Sequence, residues 1–240
     1  MPERFYPLLP PLSVRDRRAA ILSCVACPRL VDWIDEQRAQ HPDHYNAPVT
    51  DRGDPRARLL LVGLAPGRLG ANRTGRVFVG DSSSDFLFNA LHAVGLASSA
   101  SAPDARLIGV RMTNVVKCLP PQNQPQRAEV QNCSRHLRAE LAHFWTTGAI
   151  KPRVLVSLGG LAHRALWQSL PIEISGGSAC PKFSHGGVTA LAPNLWLLSC
   201  FHPSKLNTQT GRLSQVMLRS VLRQAVSYMD SSSVTAGNNV

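Results

Sequence analysis

The chain has 240 residues, 44% of them apolar and 17% charged, with a formal net charge of +11. That length suits one domain with a sizeable core, and without a run of eighteen apolar residues no membrane-spanning helix is expected. The basic excess attracts a polyanion, nucleic acid being the usual one, against the plainer alternative of a generic basic surface.

Residues 1–15 read as a flexible segment, cut by prolines and lacking the small-residue cleavage pattern of a secretory leader. Residues 16–229 read as one folded domain, and 230–240, "DSSSVTAGNNV", as a disordered tail. "RDRRAAILSCVACPRLVDWIDEQRAQ" has helical spacing with a break at Pro28, and Cys24 and Cys27, three apart, would share one helix face. "RLLLVGLAP" is a buried strand that opens into a glycine-rich loop, and Asp81 with its following serines caps the helix "SSSDFLFNALHAVG". "LIGVRMTNVVKC" is a second strand, "CLPPQNQPQ" a rigid loop, and "RAEVQNCSRHLRAELAHFW" a helix. Then follow the strand "RVLVSLGG", the helix "LAHRALWQSL", the strand "NLWLLSCFHPS" and the helix "GRLSQVMLRSVLRQAVSYM". Strands alternating with helices predict an α/β fold: a single-domain α/β/α sandwich around a central four-stranded, mainly parallel sheet.

Ligands of such sheets bind outside the carboxyl ends of the strands. The loop 63–81, "GLAPGRLGANRTGRVFVGD", leaves one such end, so it, Asn114, Asn123 and His202 are expected to converge on one cleft. The loop is not a nucleotide-hydrolase phosphate loop, because Gly67 is followed by Arg68 and Leu69 rather than by Gly-Lys-Ser/Thr. Its glycines do let backbone approach a ligand closely. In "FHPS", Pro203 fixes the turn behind His202, which suits a histidine donating a hydrogen bond to a developing anion; a turn-capping histidine is the bland alternative. Asp81 reads as a helix cap, worth about 1 kcal/mol.

Six cysteines are present. Cys24, Cys27, Cys118 and Cys133 suggest a metal site in a reducing cytosol, either four-thiolate zinc or a [4Fe–4S] cluster, while Cys180 and Cys200 read as spectators.

Taken together, "CVACPRLV", "GLAPG", "NRTGRVFVGD", "NVVKCLPPQN", Cys133, "HPS" and "NTQTGRL" resemble the iron–sulfur branch of the uracil-DNA glycosylase superfamily, and its type 5 members in particular, over residues 20–225. The resemblance implies removal of uracil, and often of hypoxanthine and other deaminated or damaged bases, from DNA, double-stranded included. A monomer is expected, in a reducing, nucleoid-associated cytoplasmic setting. It implies a structural [4Fe–4S] cluster on Cys24, Cys27, Cys118 and Cys133. Most relatives place a carboxylate or amide directly after the first glycine of the loop; here Leu64 has no polar atom, and the resemblance moves that role to Asp81. It further implies that His202 stabilises the leaving base and that Asn123 joins the active site. Phe78 would stack on the flipped base, and Asn114 would read its edge. Gly63 and Ala65 would border the base, and Leu206 would wedge into the vacated stack. A core phenylalanine, a strand-end asparagine and a plain loop or core leucine are the alternatives for Phe78, Asn114 and Leu206. Two rival functions stand beside this reading: a non-enzymatic metal-containing DNA-binding module, and a nucleotide- or nucleoside-processing α/β hydrolase.

Overall fold

The computed structural model describes residues 12–146 and 151–230. Most of the expected flexible segment 1–15 and nearly all of the expected tail 230–240 therefore lie outside the described residues. In chain order come helices α1 (Val14–Leu22) and α2 (Pro28–Gln40), strands β1 (Arg52–Gly53) and β2 (Leu59–Gly63), and helices α3 (Ala71–Thr74) and α4 (Ser82–Ala93). Strand β3 (Val110–Asn114), a 3-10 turn (Pro121–Asn123), helix α5 (Arg127–Thr146), strand β4 (Arg153–Leu158) and helices α6 (Gly160–Ser169) and α7 (Ile172–Ser175) follow. Strands β5 (Val188–Ala192) and β6 (Leu195–Cys200) and helices α8 (Lys205–Gln209) and α9 (Gln215–Asp230) complete the order.

The sheet has six strands in the order β1-β3-β2-β4-β6-β5. The four expected strands form its parallel centre, β3-β2-β4-β6. The expectation of a four-stranded sheet is corrected by two antiparallel edges, β1 on β3 and β5 on β6. β1 is two residues long, and β5 is half-exposed with a register shift, so neither carries the continuous apolar run of a strand covered on both faces.

Side chains alternate across the central strands and supply two cores. On one face Leu59, Leu61, Val154 and Val156 pack against Leu87 and Leu91 of α4 and Leu218 and Leu222 of α9. On the other, Leu60, Val62 and Leu155 pack against Leu137 and Leu141 of α5, Leu166 of α6 and Leu30 of α2. This is the three-layer α/β/α arrangement. The chain leaves β2 for β3 on one side and later returns to β4 on the other. The loops after β2 and β4 therefore diverge and open a crevice at the carboxyl ends of the strands.

One local expectation fails. Cys24 and Cys27 do not share a helix face; they lie in the connection between α1 and α2. Cys27 precedes Pro28, whose ring disfavours helical geometry at the residue before it, and its backbone is extended at φ −127, ψ 87. Pro28 opens α2 instead of breaking a longer helix.

Candidate active site

A cleft of about 600 Å³ opens at the carboxyl ends of the parallel strands. Ala65, Phe78, Asp81, Asn114, Asn123 and His202 all line it, although they come from three separate segments: after β2, at and after the end of β3, and after β6. Gly63 lies beneath it at the end of β2. A Cβ there would fall 2.5 Å from Asn114 Oδ1 and 2.8 Å from the Phe78 ring, so glycine lets these two side chains close over the strand end.

Asp81 is the N-cap of α4. Its Oδ1 accepts hydrogen bonds from the Ser84 backbone N–H at 2.9 Å and the Ser84 hydroxyl at 2.7 Å. Its Oδ2 lies against Gly67 and Gly70, and a Cβ on Gly70 would collide with it. The two oxygens thus divide the work: one terminates a helix, while the other has no hydrogen bond among the described residues and faces the glycine loop at the cleft.

His202 follows β6. Its backbone carbonyl accepts from Asn207 Nδ2 at 2.8 Å, and its Cβ sits close over Gly159, which has φ +98. Burial pushes its pKa down from the ordinary value, more strongly than the nearby Asp81 carboxylate pulls it up. Burial thus favours the neutral imidazole, which carries one N–H donor. Beside it, the first turn of α6 lines the cleft without a side-chain cap, so its positive end faces the same space.

Phe78 is 9% exposed and holds φ +52, a left-handed conformation that is strained for an aromatic residue. Its ring belongs both to the core and to the cleft wall. Asn123 and its neighbour Gln122 also adopt left-handed backbones, φ +57 and +55, which turn the Pro-Pro loop toward the cleft mouth. The side-chain amide of Asn114 makes no hydrogen bond among the described residues, although the residue is only 3% exposed. Leu64 lines the cleft with purely apolar atoms. Leu206 does not line it; it stands on α8 at 72% exposure, so a core role is excluded.

Sequence reasoning assigned no role to Phe183, Asn207 or Arg212, all of which line the cleft. The Arg212 guanidinium lies over the Phe201 ring at 4.6 Å. Asn207 and Arg212 fall inside "NTQTGRL", which could have flagged them; Phe183 lies in a loop with no local signal.

Cys24, Cys27, Cys118 and Cys133 line one small cavity, which α5 closes with Asn132 and His136. All four are free thiols. Among the described residues no group of three or more His, Cys, Asp or Glu is arranged to hold a metal ion. The surroundings nonetheless suit a thiolate-bound group. Cys24 Sγ accepts from Arg135 Nη2 at 3.0 Å, Cys27 Sγ from Asn132 Nδ2 at 3.7 Å, and Cys133 Sγ from the Lys117 backbone N–H at 3.3 Å. Burial pushes the Cys118 thiol up to about 12 and Cys133 to about 11, a cost that a cationic group would reverse.

Fold and cleft together define an α/β protein built to admit a ligand at the switch point of its sheet. The family model described as Uracil DNA glycosylase superfamily matches residues 50–225. A Type-5 uracil-DNA glycosylase of Mycobacterium tuberculosis is 43% identical over 225 residues, covering 89% of this chain and 81% of that one. One from Thermus thermophilus is 43% identical over 221 residues, covering 88% and 97%. Another, from Pyrobaculum aerophilum, is 40% identical over 213 residues, covering 85% and 88%. The chain belongs to the uracil-DNA glycosylase superfamily, and within it to the type-5 group.

Proposed function

We infer that this chain is a DNA glycosylase that hydrolyses the N-glycosidic bond of uracil, and of hypoxanthine or other deaminated bases, in double-stranded DNA, and so initiates base excision repair. One observation carries this reading: His202 and the unbonded Oδ2 of Asp81 border the same apolar-walled cleft. Such a cleft reaches a base only after it leaves the helix. Flipping costs a few kcal/mol, least at a mismatch such as U·G. The basic surface supplies salt-dependent, sequence-independent attraction to the duplex.

The flipped base would lie against Phe78 and over Gly63 and Ala65, with the Asn114 amide on its polar edge. Leu206, exposed on α8, would fill the gap left in the stack. As the glycosidic bond breaks, charge develops on the base and on the sugar. The His202 N–H stabilises the departing base, and one such donor is worth roughly 2.7–4 kcal/mol. Asp81 Oδ2 holds the attacking water or faces the cationic sugar, with Asn123 at the cleft mouth helping to position water. Leu64 takes no part in the proton chemistry. Cys24, Cys27, Cys118 and Cys133 would hold a [4Fe–4S] cluster whose contribution is to tie the α1–α2 connection to the loop after β3. The protein acts as a monomer in a reducing compartment. Among the described residues no helix is long and apolar enough to cross a membrane.

The test is incubation of aerobically and anaerobically prepared protein with uracil-containing duplex, scored for abasic sites, alongside iron analysis. Abasic product and about four irons per chain are expected. Intact duplex would overturn the enzyme reading; zinc without iron would overturn the cluster.

A further inference from the structure

Lys117 is a charged residue with no part in the chemistry above, yet it is 1% exposed. It lies three residues beyond the end of β3, and its side chain folds back on that end. Its Nζ donates to the Asn114 carbonyl at 2.6 Å, to Thr113 Oγ1 at 2.7 Å and to Glu140 Oε2 at 2.7 Å. The Thr113 hydroxyl in turn donates to the same Glu140 oxygen at 2.7 Å. All three ammonium protons are used. The backbone N–H of Lys117 serves a different neighbour, the Cys133 sulfur at 3.3 Å, and the next residue is Cys118.

A buried ion pair is a poor device for stability, since apolar side chains of like volume often serve as well or better. What this one supplies is geometry. Asn114 is confined on its side-chain face by Gly63 and the Phe78 ring. The Lys117 ammonium confines it from behind by holding its carbonyl. The Asn114–Val115 peptide is thus held at both ends, its N–H by the Gly63 carbonyl at 2.9 Å and its carbonyl by the Lys117 ammonium, and this sets where the Asn114 side chain leaves the strand. A displacement of about 1 Å in a group that orients a substrate costs as much as a hundredfold in rate.

We propose that Lys117 is a positioning residue for base recognition: it locks the Asn114 peptide at the end of β3 and anchors that strand end to the cysteine cavity. The inference rests on the reading of Asn114 as a contact to the flipped base. Lys117 itself touches neither base nor sugar.

The decisive variant is Lys117→Met combined with Glu140→Gln, which removes both charges and leaves an acceptor for Thr113. Single-turnover excision of uracil from a U·G duplex should fall by about tenfold or more. Iron content and melting temperature should stay near those of the parent. Placed in an Asn114→Ala background, the same pair of substitutions should cost less than about twofold further, because both routes remove one interaction. An undiminished loss in that background overturns the proposal. If the paired variant does not fold, Thr113→Val removes one of the three acceptors without disturbing the strand. It should slow excision by a few-fold, again only where Asn114 is intact, and unchanged excision overturns the proposal. Should Asn114→Ala by itself excise uracil at the parental rate, the inference falls while the glycosylase reading stands on the parent's own activity. A parent that leaves uracil duplex intact removes both.

Discussion

Asp81 presents its two carboxylate oxygens to different partners, and that division makes a clean experiment possible. Oδ1 caps α4 through Ser84, while Oδ2 faces the cleft beside Gly67 and Gly70. Asparagine caps a helix as well as aspartate does, so Asp81→Asn keeps the first function and deletes the second. Both Asp81→Ala and Asp81→Asn are expected to slow single-turnover excision by about 10²-fold or more, the scale of one catalytic group. Asp81→Asn should melt within a degree or two of the parent; near-normal excision in it would reduce Asp81 to a cap. Leu206 allows a test of a different kind. At 72% exposure it contributes little to the core, so Leu206→Ala should shift stability by no more than about 0.5 kcal/mol. Its excision of uracil from duplex should fall, while excision from a single strand, where no stack needs filling, should not. Equal losses on both substrates would reject the wedge.

At the scale of elements, α1 is docked by an ionic cluster as well as by Ile21. Arg17 of α1 is 1% exposed and reaches Asp51 Oδ2 at 3.4 Å. The same oxygen pairs with Arg111 of β3. One carboxylate therefore compensates two buried guanidiniums. Asp51→Ala should destabilise the protein by roughly 3–5 kcal/mol, because it strands both charges in the interior. Equilibrium denaturation measures this, and a change under about 1 kcal/mol would show that solvent reaches the cluster. Sequence periodicity gave no hint of this cluster, since residues 17, 51 and 111 have no local relation. The central strands were legible because strands covered on both faces are written as unbroken apolar runs, such as "LLLV" at Leu59–Val62. Edge strands β1 and β5 bury one face or less and leave no such signature. In the α1–α2 connection the pattern of apolar residues continues through Cys24 and Cys27, while the pre-proline constraint at Cys27 overrides it.

For the whole molecule, pH and fold are linked through the buried His163 and the half-buried His185 and His202. His163, His185 and His202 all have pKa values lowered from 6.5, in each case chiefly by burial. The folded state therefore favours the neutral ring, and the unfolded chain binds more protons once the pH drops below about 6.5. Stability rises with pH up to that point and is lost as pH falls beneath it. His163 shows why: its ring nitrogens meet the Ser157 hydroxyl and the Pro181 carbonyl, both at 3.1 Å, in an interior where burial disfavours the charged ring. The melting temperature should be lower at pH 5 than at pH 7, and a flat profile across that range would contradict the burial of these rings as neutral groups. The sequence by itself determined the α/β class, the parallel centre of the sheet, the superfamily and the loops that would carry chemistry. These depend on short-range patterns: apolar runs, caps, turns and contiguous motifs. The tertiary structure alone added Phe183, Asn207 and Arg212 to the cleft. It also set the two faces of the Asp81 carboxylate and the fold-back of Lys117 onto Asn114. Those depend on distances between residues far apart in the chain, and such distances exist only once the sheet has ordered its strands.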